Sequence, residues 1–126
     1  MKPVNQILLV DDHELFRDAF SEIITERFPH LVIEWARDGD EAQKKIAASR
    51  PDLILMDIAL PGKNGLELTR EIKQSHGDIK IVILTGLGSG YEKAAHKYGA
   101  DGYLVKGISS LEDIFALFGP ALPSAD

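Results

Sequence analysis

Short apolar runs separated by longer stretches of mixed character set the rhythm of this chain. Ile7-Leu8-Leu9-Val10, Leu53-Ile54-Leu55-Met56, Ile79-Lys80-Ile81-Val82-Ile83-Leu84 and Gly102-Tyr103-Leu104-Val105 are too short for buried helices. Their nearly unbroken apolarity suits strands covered on both faces. Val32-Ile33-Glu34-Trp35-Ala36 sets a charge among apolar residues, as an edge strand does. Between the strands the period changes. Leu15, Phe16, Ala19, Phe20, Ile23 and Ile24 recur at helical spacing from His13-Glu14 until Phe28-Pro29, predicting one face turned toward a sheet. Four pairs, Asp38 with Glu41, Asn64 with Glu67, Ser89 with Glu92 and Ser109 with Glu112, have capping-box spacing. They predict a helix ending near Ser49 and others over Leu66 to Gln74, Tyr91 to Tyr98 and Leu111 to Phe118. Five alternations of strand and helix predict an α/β fold. Its parallel sheet carries helices on both faces, joined by right-handed crossovers.

Composition narrows the classes open to such a fold. At 126 residues there is room for one domain with a real core. The absence of cysteine excludes a disulfide framework, a thiolate zinc site and cysteine nucleophile chemistry. A net charge of −6 disfavours direct nucleic-acid binding by this domain, which takes clustered Lys and Arg. Met1-Lys2-Pro3-Val4-Asn5-Gln6 carries no apolar leader and no run approaches membrane-spanning length, so a soluble cytoplasmic protein is expected. Gly119-Pro120-Ala121-Leu122-Pro123-Ser124-Ala125-Asp126 reads as a tail or the start of a linker to an output domain.

The candidate chemistry lies where the apolar runs stop. They end at Asp11-Asp12, Asp57, Thr85 and Lys106, and open parallel sheets bind ligands outside these carboxyl ends. Converging carboxylates would repel by about 4 kcal/mol per close pair, which a hard divalent cation relieves. Magnesium suits Asp12 and Asp57 as direct ligands and Asp11 through water. Lys106 adds a cation and Thr85 a hydroxyl donor. The set describes phosphoryl transfer with Asp57 as the nucleophile.

Leu9-Val10-Asp11-Asp12-His13, Met56-Asp57 through Asn64-Gly65, Leu84-Thr85-Gly86 and Gly99-Ala100-Asp101-Gly102-Tyr103-Leu104-Val105-Lys106 together resemble the receiver domain of two-component response regulators. The opening Asp-Asp-His-Glu-Leu-Phe-Arg is similar to the subfamily with C-terminal helix-turn-helix output domains. The resemblance implies a flavodoxin-like sheet in order 2-1-3-4-5 and a receiver spanning residues 1–118. A sensor histidine kinase would phosphorylate Asp57. Asp11, Asp12, Asp57 and the Ala59 carbonyl would organise Mg2+, and Lys106 would pair with the phosphoryl group. Thr85 and Tyr103 would form a switch that reshapes the surface of the fourth helix, fifth strand and fifth helix. The expected role is a cytoplasmic signalling domain that controls an output such as transcription and catalyses only its own phosphorylation and dephosphorylation, with room for a homodimer on phosphorylation. Many receivers carry Lys-Pro with a cis bond where this chain has Lys106-Gly107, and a cis bond before glycine is not expected.

Several residues read as structural. His13 is taken as a helix-start residue, because imidazole is a poor partner for magnesium. His30, His76 and His96 lack partnering acids in the sequence, Trp35 and Phe16 read as packing, and the Leu111, Ile114, Phe115, Phe118 stripe as core with some spill onto a partner surface. Gly86-Leu87-Gly88-Ser89-Gly90 reads as a mobile loop, since it lacks phosphate-loop and dinucleotide spacing. Two other classes share the fold pattern. An aspartyl-nucleophile phosphatase usually has an acid two residues after the nucleophile, where Ala59 stands, and a flavin-binding domain has no use for an acidic cluster beside an anionic cofactor.

Overall fold

The computed structural model describes residues 4–118. Five parallel strands, β1 (Gln6–Val10), β2 (Val32–Ala36), β3 (Leu53–Met56), β4 (Lys80–Thr85) and β5 (Gly102–Val105), form one sheet in the order β2-β1-β3-β4-β5. The helices are α1 (Glu14–Arg27), α2 (Gly39–Ser49), α3 (Gly65–Ser75), α4 (Glu92–Lys97) and α5 (Leu111–Phe115). This is the flavodoxin-like order implied above.

Continuous apolar strands have side chains pointing to both sides, and each side builds its own core. Leu8, Val10, Ile54, Met56, Ile81 and Ile83 meet Ala42 and Ile46 of α2, Leu68 and Ile72 of α3 and Ala95 of α4. Ile7, Leu9, Leu53, Leu55, Val82 and Leu84 meet Phe20 and Ile24 of α1 together with Phe28, Ile114 and Phe118. Each of the larger apolar side chains among them, fully buried, contributes about 1.5–3 kcal/mol. The register places Val10 beside both Ala36 and Met56, Met56 beside Ile83, and Thr85 beside Val105, so the residues that follow β1, β3 and β5 leave the sheet along one edge with Thr85.

Some expected details differ. The inward face of α1 is Phe20 and Ile24 flanked by half-buried Phe16, whereas Leu15 is 87% exposed and Ala19 and Ile23 are also exposed. The face is turned by one residue because Arg17 is buried, its guanidinium 3.4 Å above the centre of the Trp35 ring. Trp35 is therefore a stacking platform on the edge strand as well as a packing residue. Asp38 and Asn64 cap α2 and α3 as expected, Asp38 accepting from the Glu41 amide at 2.9 Å and Asn64 from Leu66 and Glu67. Glu41 reaches the Arg37 amide rather than that of Asp38. The Ser89–Glu92 box does not form. Ser89–Tyr91 is a 3-10 turn, and α4 starts at Glu92 without a side-chain cap, after a loop in which Gly88 has φ +80°. The last box slips by one residue: Ser110 and Asp113 cap each other, while the Ser109 hydroxyl accepts from the Val105 amide at 3.0 Å and is unavailable. α5 ends at Phe115, and Ala116–Phe118 continue as a 3-10 turn. The expected tail, 119–126, lies outside the described residues.

Candidate functional site

β1 and β3 are central strands, and hydrogen bonding continues one residue past each of them. The Asp11 amide donates to the Ala36 carbonyl at 2.9 Å and the Asp57 amide to the Val10 carbonyl at 3.0 Å. Both side chains are thereby held at the sheet edge, with Asp11 1% and Asp57 2% exposed. Asp12, one residue beyond the bonded segment, is exposed. Asp11, Asp12, His13 and Asp57 each present a ligand atom, and these atoms all lie within 4.8 Å of one another. At that separation two carboxylates repel by about 3–4 kcal/mol.

Lys106, immediately after β5, supplies part of the compensation. Its ammonium donates to Asp11 Oδ2 at 2.5 Å and to Asp57 Oδ2 at 3.5 Å, and lies 4.2 Å from the centre of the Phe16 ring. Asp57 is thus the less well compensated of the two buried acids: beyond Lys106 it accepts from the Ala59 amide at 3.4 Å, and the His13 ring lies 3.8 Å away. Thr85 ends β4 fully buried, with its Oγ accepting from the Leu87 amide at 3.3 Å. A cavity of about 560 Å3 opens over Asp57, lined by His13, Phe16, Ala59, Thr85 and Lys106 and rimmed by exposed Leu15 and Leu87.

The sequence-predicted residues Asp11, Asp12, Asp57, Ala59, Thr85 and Lys106 therefore gather at one edge. Tyr103 does not join them. It packs against the α2–α3–α4 core, and its hydroxyl donates to the Gly88 carbonyl at 2.5 Å, in the loop that leaves Thr85. Burial pushes the phenol above its ordinary value near 10, and the nearby Glu92 charge acts in the same direction. The peptide bonds described are all trans, and Gly107 has φ +80°.

Two participants were missed as site residues. A Cβ on Gly65 would lie 1.9 Å from the Asp57 carbonyl oxygen and 3.0 Å from Ile58 Cα, so only glycine lets α3 begin against the strand that carries Asp57. The Gly65 amide donates to the Ile58 carbonyl at 2.9 Å, and the buried Thr69 hydroxyl donates to the Gly65 carbonyl at 2.7 Å. A glycine in the first helical position directly after Asn64, where the cap does not need it, was the available signal. His13 starts α1 as expected, but its Nδ1 also lies 2.9 Å from Asp11 Oδ1, 3.5 Å from Asp12 Oδ1 and 3.8 Å from Asp57 Oδ2.

A doubly wound sheet whose carboxyl edge gathers acids from β1 and β3, a hydroxyl from β4 and an ammonium after β5 defines a signalling domain of the receiver class. The chain belongs to the response regulator receiver domain family, whose model matches residues 7–117. It is 35% identical over 113 residues to the response regulator GacA of Pseudomonas viridiflava, covering 89% of this chain and 53% of that protein. The chain thus spans about half the length of the curated relatives it matches first. Among solved structures, a LuxR-family two-component response regulator from Aurantimonas superposes with a TM-score of 0.81 at 36% identity, over 90% of this chain and 82% of that one. Response regulator TrrA from Thermotoga maritima, solved in complex with Mg(2+)-BeF, gives 0.77 at 32% identity over 90% and 98%. Among the described residues no helix is long and apolar enough to cross a membrane.

Proposed function

We propose that Asp57 accepts a phosphoryl group from a sensor histidine kinase and that its modification is read through Thr85 and Tyr103. The observation that carries this is the pairing of a buried, weakly compensated Asp57 with Lys106 3.5 Å away at the floor of an open cavity. An Asp57 oxygen forms a bond to phosphorus while the bond from phosphorus to the donor imidazole nitrogen breaks, and that nitrogen leaves with its electron pair and takes up a proton. Lys106 neutralises charge on the transferred group, and the Thr85 hydroxyl donates to one of its oxygens.

The donor set fits Mg2+: the carboxylate oxygens of Asp11, Asp12 and Asp57 are hard ligands that repel one another. Together with the Ala59 carbonyl they would hold the ion, which when bound supplies neutralisation of phosphoryl oxygens. Reorientation of Thr85 toward the new anion breaks its contact with the Leu87 amide and frees the loop that Tyr103 holds at Gly88. The surface formed by α4, β5 and α5 follows, with a coupling of about 1–3 kcal/mol. The receiver is assigned to residues 1–118. Transcriptional output and assembly into a homodimer on phosphorylation belong to this proposal, as does a cytoplasmic location. The half of GacA outside the match leaves room for such an output.

The test is incubation with acetyl phosphate and Mg2+ followed by intact-mass measurement. A base-labile gain of one phosphoryl group that disappears in Asp57→Asn and in EDTA is expected. An undiminished gain in Asp57→Asn overturns the assignment, and rapid turnover of phosphomonoesters would favour an aspartyl phosphatase.

A further inference from the structure

We infer that His13 is a nitrogen ligand for the divalent cation, making the acidic site selective for first-row transition dications over Mg2+. This rests on the reading of Asp11, Asp12 and Asp57 as a cation site and goes beyond it, because it assigns a donor that an all-oxygen magnesium site does not need.

Two ligands of one ion bound at about 2.1 Å lie about 3.0 Å apart when adjacent in an octahedron, about 3.4 Å in a tetrahedron and about 4.2 Å when opposite. His13 Nδ1 lies 2.9, 3.5 and 3.8 Å from oxygens of Asp11, Asp12 and Asp57, three distances that all fall within this span. An ordinary hydrogen bond accounts for the first of them alone. The ring is held at this point by its own backbone, since His13 precedes α1 in extended conformation and its amide donates to Asp11 Oδ1 at 2.9 Å. The imidazole side chain is 62% exposed and lines the cavity over Asp57, so an ion arriving from solvent reaches nitrogen and carboxylates together.

Ligand chemistry then sets the preference. Imidazole adds little for Mg2+, which favours oxygen and retains water, and adds much for Co2+, Ni2+ and Zn2+, for which imidazole is a well-suited ligand. His96 is the other exposed candidate, but its Nε2 faces a single acid, Glu92, at 3.9 Å, which is too few ligands to compete.

Titration of the full chain with Co2+ and, separately, Mg2+, followed by calorimetry and by the visible Co2+ absorption bands, tests this. In His13→Ala the Co2+ affinity should fall about tenfold or more, with a shift of the Co2+ bands, while Mg2+ affinity changes less than about twofold. His13→Gln, which keeps a polar side chain but no imidazole, should behave like His13→Ala, and circular dichroism confirms the fold. Equal Co2+ affinity in wild type and His13→Ala overturns the inference, as does an equal loss for both ions or a gain in Mg2+ affinity, which would make His13 a competitor for the site. Failure of the wild type to bind Mg2+ would instead remove the cation-site reading itself.

Discussion

The two halves of the sheet edge are built to opposite specifications. Asp11 and Asp57 follow strands in the middle of the sheet, covered by helices on both faces, and each is fixed by a backbone hydrogen bond one residue beyond its strand. Thr85 and Tyr103 border the other end, where β5 is an edge strand of half-buried residues, α4 has six residues and no side-chain cap, and the connecting loop contains Gly86, Gly88 and Gly90. Group transfer depends on oxygen positions that do not drift. A response depends on an element whose two arrangements differ little in free energy, and elements with few buried contacts supply it. On the proposed function, the acids therefore sit on the rigid half, and the switch pair spans from buried Thr85 on β4 to Tyr103 on the softer edge.

The sharpest way to break this division is to loosen the rigid half. Gly65→Val drives a side chain into the Asp57 carbonyl and should destabilise the fold by about 3 kcal/mol, read as a lower urea midpoint, with phosphorylation lost in parallel. Asp57→Asn should act in the other direction. It removes one of the repelling charges and leaves Lys106 its closer partner Asp11, so stability in EDTA should rise by about 1–2 kcal/mol, and the stabilisation that added Mg2+ gives to the wild type should shrink. A lower melting temperature in EDTA would show that the acids are not in conflict. On the soft half, Thr85→Val keeps the shape and should change stability by less than about 1 kcal/mol, yet amide chemical shifts in α4 and β5 should stop responding to acyl phosphate. Tyr103→Phe should cost about 0.5–1 kcal/mol for the bond to Gly88. Because the folded phenol titrates above its ordinary value, its contribution is complete below pH 10 and is lost as pH rises past 10 through the folded value; this alkaline decline should be absent in Tyr103→Phe.

The rigid half was the more legible one. Central strands bury both faces, so Ile7 to Val10 and Leu53 to Met56 stand out as apolar runs, and an acid at the end of such a run is conspicuous. Gly65 and His13 were harder because their roles depend on what the crossover brings near them, and local spacing cannot report a carbonyl from another element. The same limit explains the caps. Asp38 and Asn64 were correctly assigned, but Ser109 was claimed by the end of β5 and Ser110 took over with Asp113. In the glycine loop the box spacing was present, but Ser89–Tyr91 form a 3-10 turn and α4 begins only at Glu92, so Ser89 is not at the helix start.

The stacking of cations on Trp35 has a consequence for how copies of this chain behave together. β2 is the outermost strand on its side, with Val32 and Trp35 exposed, and an open strand of that kind invites another chain to extend the sheet. Arg17 covers one part of the indole, while Lys45 stands 5.1 Å from its centre and occupies the Trp35 carbonyl at 2.5 Å. The covered indole and the occupied carbonyl leave less of this margin open to a neighbouring strand, as natural edge strands do with lysine.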